Sequence, residues 1–160
     1  MSKIIIGIDP SLTKTGVGLI RVDDRCVISF VGARTIYTNS GDFMAKRVLD
    51  LHSQLGEIID DFRPDIAAIE EVFVNKNSLS SFKLVYGRGA LMLSLAIKNL
   101  PVYEYSATNI KKSVTGVGRA DKNQVMQMIR YLLPKADFKT EDEADALAVA
   151  ICHINSFAGD

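Results

Sequence analysis

Apolar residues along the chain fall into short runs in some segments and recur at helical spacing in others. The short runs predict five β-strands, at residues 3–9, 17–22, 26–35, 65–73 and 101–105. The helical spacing predicts five helices, at residues 43–62, 82–99, 109–119, 121–133 and 140–157. The third of these helices is short and runs into a glycine-containing loop, and a polar loop is predicted at residues 75–81.

The order of these elements predicts the fold class. Three successive strands indicate an antiparallel meander, whereas the fourth and fifth strands, each reached through a helix, are expected to be parallel to their neighbours. The prediction is an α/β protein with a mixed five-stranded sheet and helices on both faces. No repeat, linker or low-complexity segment interrupts the pattern, so we expect one domain spanning residues 1–160.

Composition excludes several classes of protein. The 160 residues are 48% hydrophobic and 24% charged, which argues against a disordered chain. No apolar run approaches the roughly 18 residues needed to span a bilayer, and the apolar stretch before Asp9 is too short for a signal peptide. Cys26 and Cys152 lie far apart, which suggests neither a disulfide framework nor a zinc site. We therefore expect a cytoplasmic protein with no membrane partner.

Charge is balanced overall but segregated along the chain. The 19 Lys and Arg equal the 19 Asp and Glu in number, yet residues 72–120 hold seven bases and one acid, Glu104, for a local charge of +6. The bases are Lys76, Lys83, Arg88, Lys98, Lys111, Lys112 and Arg119. A field of this kind binds phosphate backbones, although solvated helix faces give the same composition.

Two carboxylates are predicted at the ends of apolar strands. Asp9 follows the isoleucine-rich first strand, and Glu70 comes late in the fourth. An ionised carboxylate against an apolar strand is costly unless it is paired. The ordinary alternatives are a turn-starting Asp-Pro-Ser for Asp9 and a solvated strand end for Glu70.

A third acidic segment begins the last predicted helix. Thr140 and Glu143 fit a capping box, and acids in a first helical turn favour the helix dipole, so Glu143 needs no functional explanation. Asp145 lies beyond that turn, and Asp142 and Asp145, three residues apart, point to the same side of the helix.

Four acids converging from two strand ends and one helix would repel one another without a cation. Carboxylate oxygens suit Mg²⁺ or Mn²⁺, and two such ions can support phosphodiester hydrolysis. Set beside the basic segment, Asp9, Glu70, Asp142 and Asp145 indicate a metal-dependent nuclease.

Three sequence blocks resemble the RuvC family of Holliday-junction resolvases. They are Ile6–Gly16, with its Gly-Ile-Asp-Pro pattern, Ala68–Phe73 and Asp142–Ala148, in the family's order and across nearly the whole chain. The resemblance implies a ribonuclease-H-like fold and a Mg²⁺-dependent homodimer, with two ions per site and Mn²⁺ as a substitute. Such a homodimer nicks a four-way DNA junction symmetrically and works with the RuvA and RuvB branch-migration proteins.

The same resemblance assigns roles to individual positions. Asp9, Glu70, Asp142 and Asp145 match the family's catalytic and metal-binding acids. Phe73 matches an aromatic residue that contacts bases near the crossover, and Lys111 and Lys122 match DNA-contacting lysines. The other bases expected at the DNA are Lys76, Lys83, Arg88, Lys112 and Arg119.

One departure from the family pattern and several alternatives remain at this point. Ser11 stands where the family usually has glycine, from which we expect a modest change of geometry. A ribonuclease-H-like nuclease of the YqgF type, acting on RNA, and a non-catalytic junction-binding protein are the alternatives. An actin-like ATPase needs two related domains, which 160 residues do not supply.

Overall fold

The computed structural model describes residues 1–73 and 79–157, which form one mixed sheet covered by helices. The strands are β1 (Lys3–Asp9), β2 (Lys14–Val22), β3 (Ile28–Tyr37), β4 (Ile66–Glu70) and β5 (Val102–Tyr105). The helices are α1 (Met44–Phe62), α2 (Leu79–Ile97), α3 (Ala107–Thr115), α4 (Lys122–Leu132) and α5 (Glu141–Phe157). None of the helices in the described part of the chain combines the length and apolar character needed to cross a lipid bilayer.

The topology of the sheet confirms the predicted fold class. Its strand order is β3-β2-β1-β4-β5, with antiparallel pairs among β1 to β3 and parallel pairs joining β1 to β4 and β4 to β5. Two apolar cores lie on opposite faces of this sheet. One includes Leu51, Leu55 and Leu91 of α1 and α2, and the other includes Ile129 and Leu147 of α4 and α5.

Several element boundaries differ from those expected. β2 begins at Lys14 and not at residue 17, because its ladder with β1 continues through Asp9 opposite Gly16. β4 ends at Glu70 and not at residue 73, where its ladder with β5 ends at Tyr105. The loop predicted at residues 75–81 is helical from Leu79 onward, and residues 74–78 lie outside the described part.

The helix α5 is the most buried helix of the fold. Ten of its residues, from Glu143 to His153, are buried, and it packs across β1 and β2. It begins where β1 ends, so its first residues come next to the carboxyl end of that strand. This placement brings acids from distant parts of the sequence together.

Candidate active site

The register of the parallel strands places Asp9 beside Glu70. Ile8 of β1 is paired with Ile69 of β4, so the next residue in each strand lies at the same edge of the sheet. The two carboxyl groups lie close enough for each to shift the pKa of the other. Burial, followed by the charges of Glu70, Asp145 and Asp142, raises the pKa of Asp9 to about 8.

The other two acids arrive on the first turns of α5. Burial is the main cause that raises the pKa of Asp145, while the positive charge of Lys122 acts in the opposite direction. Asp142 is half-buried, and its charge contributes to the raised pKa values of Asp9 and Asp145. All four predicted acids thus lie within electrostatic range of one another.

Close packing of α5 on the sheet sets this proximity. A Cβ added to Gly16, which is paired with Asp9, would lie only 1.9 Å from the main-chain oxygen of Asp142. A Cβ on Gly7 would lie 2.1 Å from the main-chain oxygen of Ala146. Only glycine leaves room for the helix backbone to approach both strands at these points.

Side chains around the start of α5 fix its position along the sheet. The amide of Glu143 donates to Thr140 Oγ1 at 3.1 Å, which is the predicted cap. The buried Glu143 carboxylate accepts from Thr35 Oγ1 of β3 at 3.1 Å and from the amide of Lys139 at 2.6 Å. Glu143 therefore joins the helix start to the sheet, a role beyond the helix cap.

A pocket of about 270 Å³ opens over the acids. Asp9, Glu70 and Asp145 line it together with Lys111 of α3 and Lys122 of α4. The charges of both lysines lower the pKa of Glu70, although its burial outweighs them and the net shift is upward. Lys122 Nζ also lies 3.6 Å from Glu141 Oε2. The pocket thus combines three carboxylates with two cations in one lining.

The remaining predicted DNA contacts are dispersed. Phe73 is 78% exposed, directly before residues 74–78, which include Lys76 and lie outside the described residues. Arg88 is used within the protein, because its Nε donates to the main-chain oxygen of Glu70 at 3.2 Å and its Nη2 pairs with Glu104. The other predicted contacts, which are exposed, are Lys83, Lys112 and Arg119.

Ser11 causes no backbone strain. It is not among the residues with positive φ, so the position does not require glycine. Its hydroxyl accepts from the amides of Thr13 and Lys14, at 3.2 and 3.4 Å, and stabilises the turn that follows Asp9.

Sequence reasoning missed two features close to the site, which are the approach of α5 to Gly16 and the bonds of the buried Arg47 to the turn after β1. The repeated glycines in β1 and β2 are the only signal that pointed to the first. Nothing in the local pattern pointed to Arg47, which occupies an apolar-facing position of α1.

The four acids are suited to binding a hard divalent cation, because their side chains offer only carboxylate oxygens as ligands. Among residues 1–73 and 79–157, however, no three Asp, Glu, His or Cys side chains are drawn together closely enough to enclose an ion. Burial is the main cause that raises the pKa of Asp9, Glu70 and Asp145, and a bound cation would favour the charged form of each. The residues therefore fit a metal by chemistry and location.

A mixed sheet of this strand order, with acids at the ends of β1 and β4 and on the last helix, defines a nuclease of the ribonuclease-H-like class. The family model described as "Crossover junction endodeoxyribonuclease RuvC" matches residues 5–153. The chain belongs to the RuvC family, which comprises metal-dependent nucleases, as its sequence blocks predicted.

Curated relatives and a solved structure are similar to the chain over nearly its whole length. The chain is 46% identical to the RuvC of Agrobacterium fabrum over 157 residues, covering 98% of this chain and 91% of that protein. It is 45% identical to the RuvC of the Wolbachia of Brugia malayi over 150 residues, covering 94% and 93%. The structure of T. thermophilus RuvC in complex with Holliday junction substrate matches with a TM-score of 0.88 and 28% identity, covering 97% and 94%.

Proposed function

We propose that this chain is a structure-specific endonuclease that resolves four-way DNA junctions by paired, symmetric nicking in recombination and repair. One observation carries the proposal: Asp9, Glu70 and Asp145 share a pocket with Lys111 and Lys122. The likeness to T. thermophilus RuvC, whose structure contains a Holliday junction substrate, extends over nearly the whole chain. We propose that residues 1–160 act as one nuclease domain.

The acids are proposed as the metal-binding and catalytic groups. Asp9, Glu70, Asp142 and Asp145 would hold Mg²⁺, two ions per site, with Mn²⁺ as a substitute. The ions would supply charge stabilisation at the phosphate and a nucleophile at neutral pH. Asp9 is proposed as the central acid of the set, which is supported by its pairing with the β4 edge that carries Glu70 and by the effect of all three other acids on its pKa.

The chain's own cations would hold the substrate. Lys111 and Lys122 face the acids across the pocket, where they would bind the phosphate backbone and offset the negative charge around it. The exposed ring of Phe73 is suited to stacking on an unpaired base. Lys76, Lys83, Lys112 and Arg119 are proposed as backbone contacts, and for Arg88 we propose support of Glu70 in place of direct DNA contact.

A homodimer would supply the two active sites that paired nicking requires. α1 and α2 expose a continuous apolar surface that includes Leu49, Tyr86 and Leu93, each more than half exposed. A groove of about 380 Å³ runs between these residues. Apolar surfaces of this kind mark protein interfaces, and we propose a second copy of the chain as the occupant. We also propose that the protein works with RuvA and RuvB and that it is located in the cytoplasm.

Cleavage of a synthetic four-way junction tests the function. Each of the four strands is labelled in turn, and the junction is incubated with the protein and Mg²⁺, with EDTA and with Asp9→Asn as controls. We expect paired nicks at symmetric positions with Mg²⁺, none with EDTA, and binding without cutting by Asp9→Asn. Wild-type rates in Asp9→Asn would contradict the assignment of the acids. An intact junction beside degraded RNA would indicate an RNA nuclease, and binding without any cutting would indicate a junction-binding protein.

A further inference from the structure

Arg47 is a buried cation for which the described part of the chain supplies no carboxylate partner. It lies in the first turn of α1 and is only 5% exposed. Its Nε donates to Thr38 Oγ1 at 3.0 Å, and its Nη2 donates to Thr13 Oγ1 at 2.9 Å and to the main-chain oxygen of Leu12 at 3.5 Å. Within residues 1–73 and 79–157, no acidic side chain forms an ion pair with it. An unpaired buried charge is costly, so it calls for an explanation.

The partners of Arg47 belong to the turn that carries Asp9 away from β1. Leu12 and Thr13 lie three and four residues after Asp9, and the main-chain oxygen of Leu12 also accepts from Thr38 Oγ1 at 2.5 Å. The far side of the turn is closed by Thr15 Oγ1, which donates to the main-chain oxygen of Ser11 at 2.5 Å. Arg47 therefore connects this turn to the end of β3 and the start of α1.

Anchoring α1 does not by itself require a charge at position 47. Leu51, Leu55 and Ile59 continue the same buried face of the helix, and the first two are fully buried in the core beneath the sheet. An apolar side chain at position 47 would extend that face at lower cost. What an apolar side chain lacks is the planar fork of donors that reaches two hydroxyl groups and a carbonyl at once.

We propose that Arg47 is a positioning residue for the nuclease reaction. It holds the turn at residues 10–14 and so fixes the carboxylate of Asp9 relative to Glu70 and the acids of α5. The proposal rests on the proposed function, because the positioned carboxylate is the central acid of that site. Arg47 itself does not line the pocket and contacts no substrate.

Three variants and one matched control test this role. Arg47→Met removes the charge and the donors, Arg47→Lys keeps the charge but loses the fork, and Thr13→Val removes one acceptor at an exposed position. Leu51→Ala is the control, because it lies one turn along the same buried face and lowers stability without removing any of the hydrogen bonds that Arg47 makes to the turn. For each protein we measure the melting temperature, its rise on adding Mn²⁺, the Mn²⁺ concentration for half-maximal junction cleavage, kcat, and Kd for the junction in EDTA.

A positioning role and a structural role give different patterns. Displacement of a reacting group by about 1 Å costs on the order of 100-fold in rate. We expect kcat to fall at least tenfold in Arg47→Met and Arg47→Lys and a few-fold in Thr13→Val. The Mn²⁺ requirement should rise several-fold and the Mn²⁺-induced melting shift should shrink, with junction Kd unchanged within twofold. Leu51→Ala, assayed well below its melting temperature, should keep the wild-type Mn²⁺ requirement and kcat.

The proposal is overturned if Arg47→Lys and Thr13→Val keep the wild-type kcat and Mn²⁺ requirement, whatever the fate of Arg47→Met. It is also overturned if Leu51→Ala changes the Mn²⁺ requirement as much as they do. If the proposed function itself is wrong, the wild-type protein will cut no junction, which is a different result from those that overturn the role of Arg47. In that case the Mn²⁺-induced melting shifts of the four variants still decide whether Arg47 positions the acids.

Discussion

Replacing Gly16 with alanine would separate the acids without removing any of them. Gly16 is paired with Asp9, and an added Cβ would lie 1.9 Å from the main-chain oxygen of Asp142. Because the obstructing atom is backbone, no side-chain rotation relieves the contact. The start of α5 must move away from β2, carrying Asp142 and Asp145 with it.

The size of that movement follows from the contact. Real Cβ atoms do not approach other heavy atoms closer than 3.0 Å, so the helix start has to shift by at least about 1 Å. A displacement of about 1 Å at a reacting group costs on the order of 100-fold in rate. Overpacking a core costs about 1–3 kcal/mol, which lowers the melting temperature of a protein of this size by roughly 3–10 °C.

Junction cleavage under single-turnover conditions, run at least 20 °C below the melting temperature, measures the effect. Gly56→Ala is the matched control, because nothing lies within 4 Å of its added Cβ and the site is inside α1. Alanine should raise helix stability there by about 0.5–1 kcal/mol and leave cleavage unchanged. If Gly16→Ala cut and melted like the wild type, close packing at Gly16 would not control the spacing of the acids.

Three further predictions address other parts of the molecule. Lys111→Ala should reduce the slope of log Kd for the junction against log salt concentration by about 0.9, which is the value for one lost phosphate contact. Lys135→Ala, beside the start of β3, is the control and should keep the wild-type slope. If the slope of Lys111→Ala also equals that of the wild type, Lys111 does not contact the DNA. Leu93→Glu should convert a sedimenting dimer to a monomer, and a wild-type chain that is monomeric at micromolar concentration would refute the interface on α1 and α2. Burial lowers the pKa of His153, so its folded form binds fewer protons than its unfolded form and stability should fall as pH drops below about 6.5. The melting temperature of His153→Phe should decline less between pH 7 and 5, and parallel curves would contradict the prediction.

Features that depend on local pattern were predictable from the sequence. The strand order followed from three strands in succession and two helical crossovers, and the parallel direction of β4 brought Glu70 beside Asp9 as expected. Asp142 and Asp145 were assigned to one side of a helix by their spacing alone. The boundaries were less accurate, because pairing with a neighbouring strand extended β2 and ended β4 regardless of composition.

Features that depend on tertiary partners were not predictable. Arg88 belongs to the basic segment, yet Glu104 and the main chain of Glu70 engage it within the protein. The hydroxyl partners of Arg47 come from β3 and from the turn after β1, and no spacing in the sequence announces them. Net charge over a segment therefore does not show which of its cations have partners within the protein.

The position of α5 in the chain has a consequence for biosynthesis. Asp9 and Glu70 leave the ribosome early, but Asp142 and Asp145 lie on the last described helix and reach the site only when it docks on β1 and β2. Because domains generally fold as units, a nascent chain that still lacks α5 has at most half of the acidic set. A nuclease of this kind would in this way stay inert until α5 has been synthesised and has docked on the sheet.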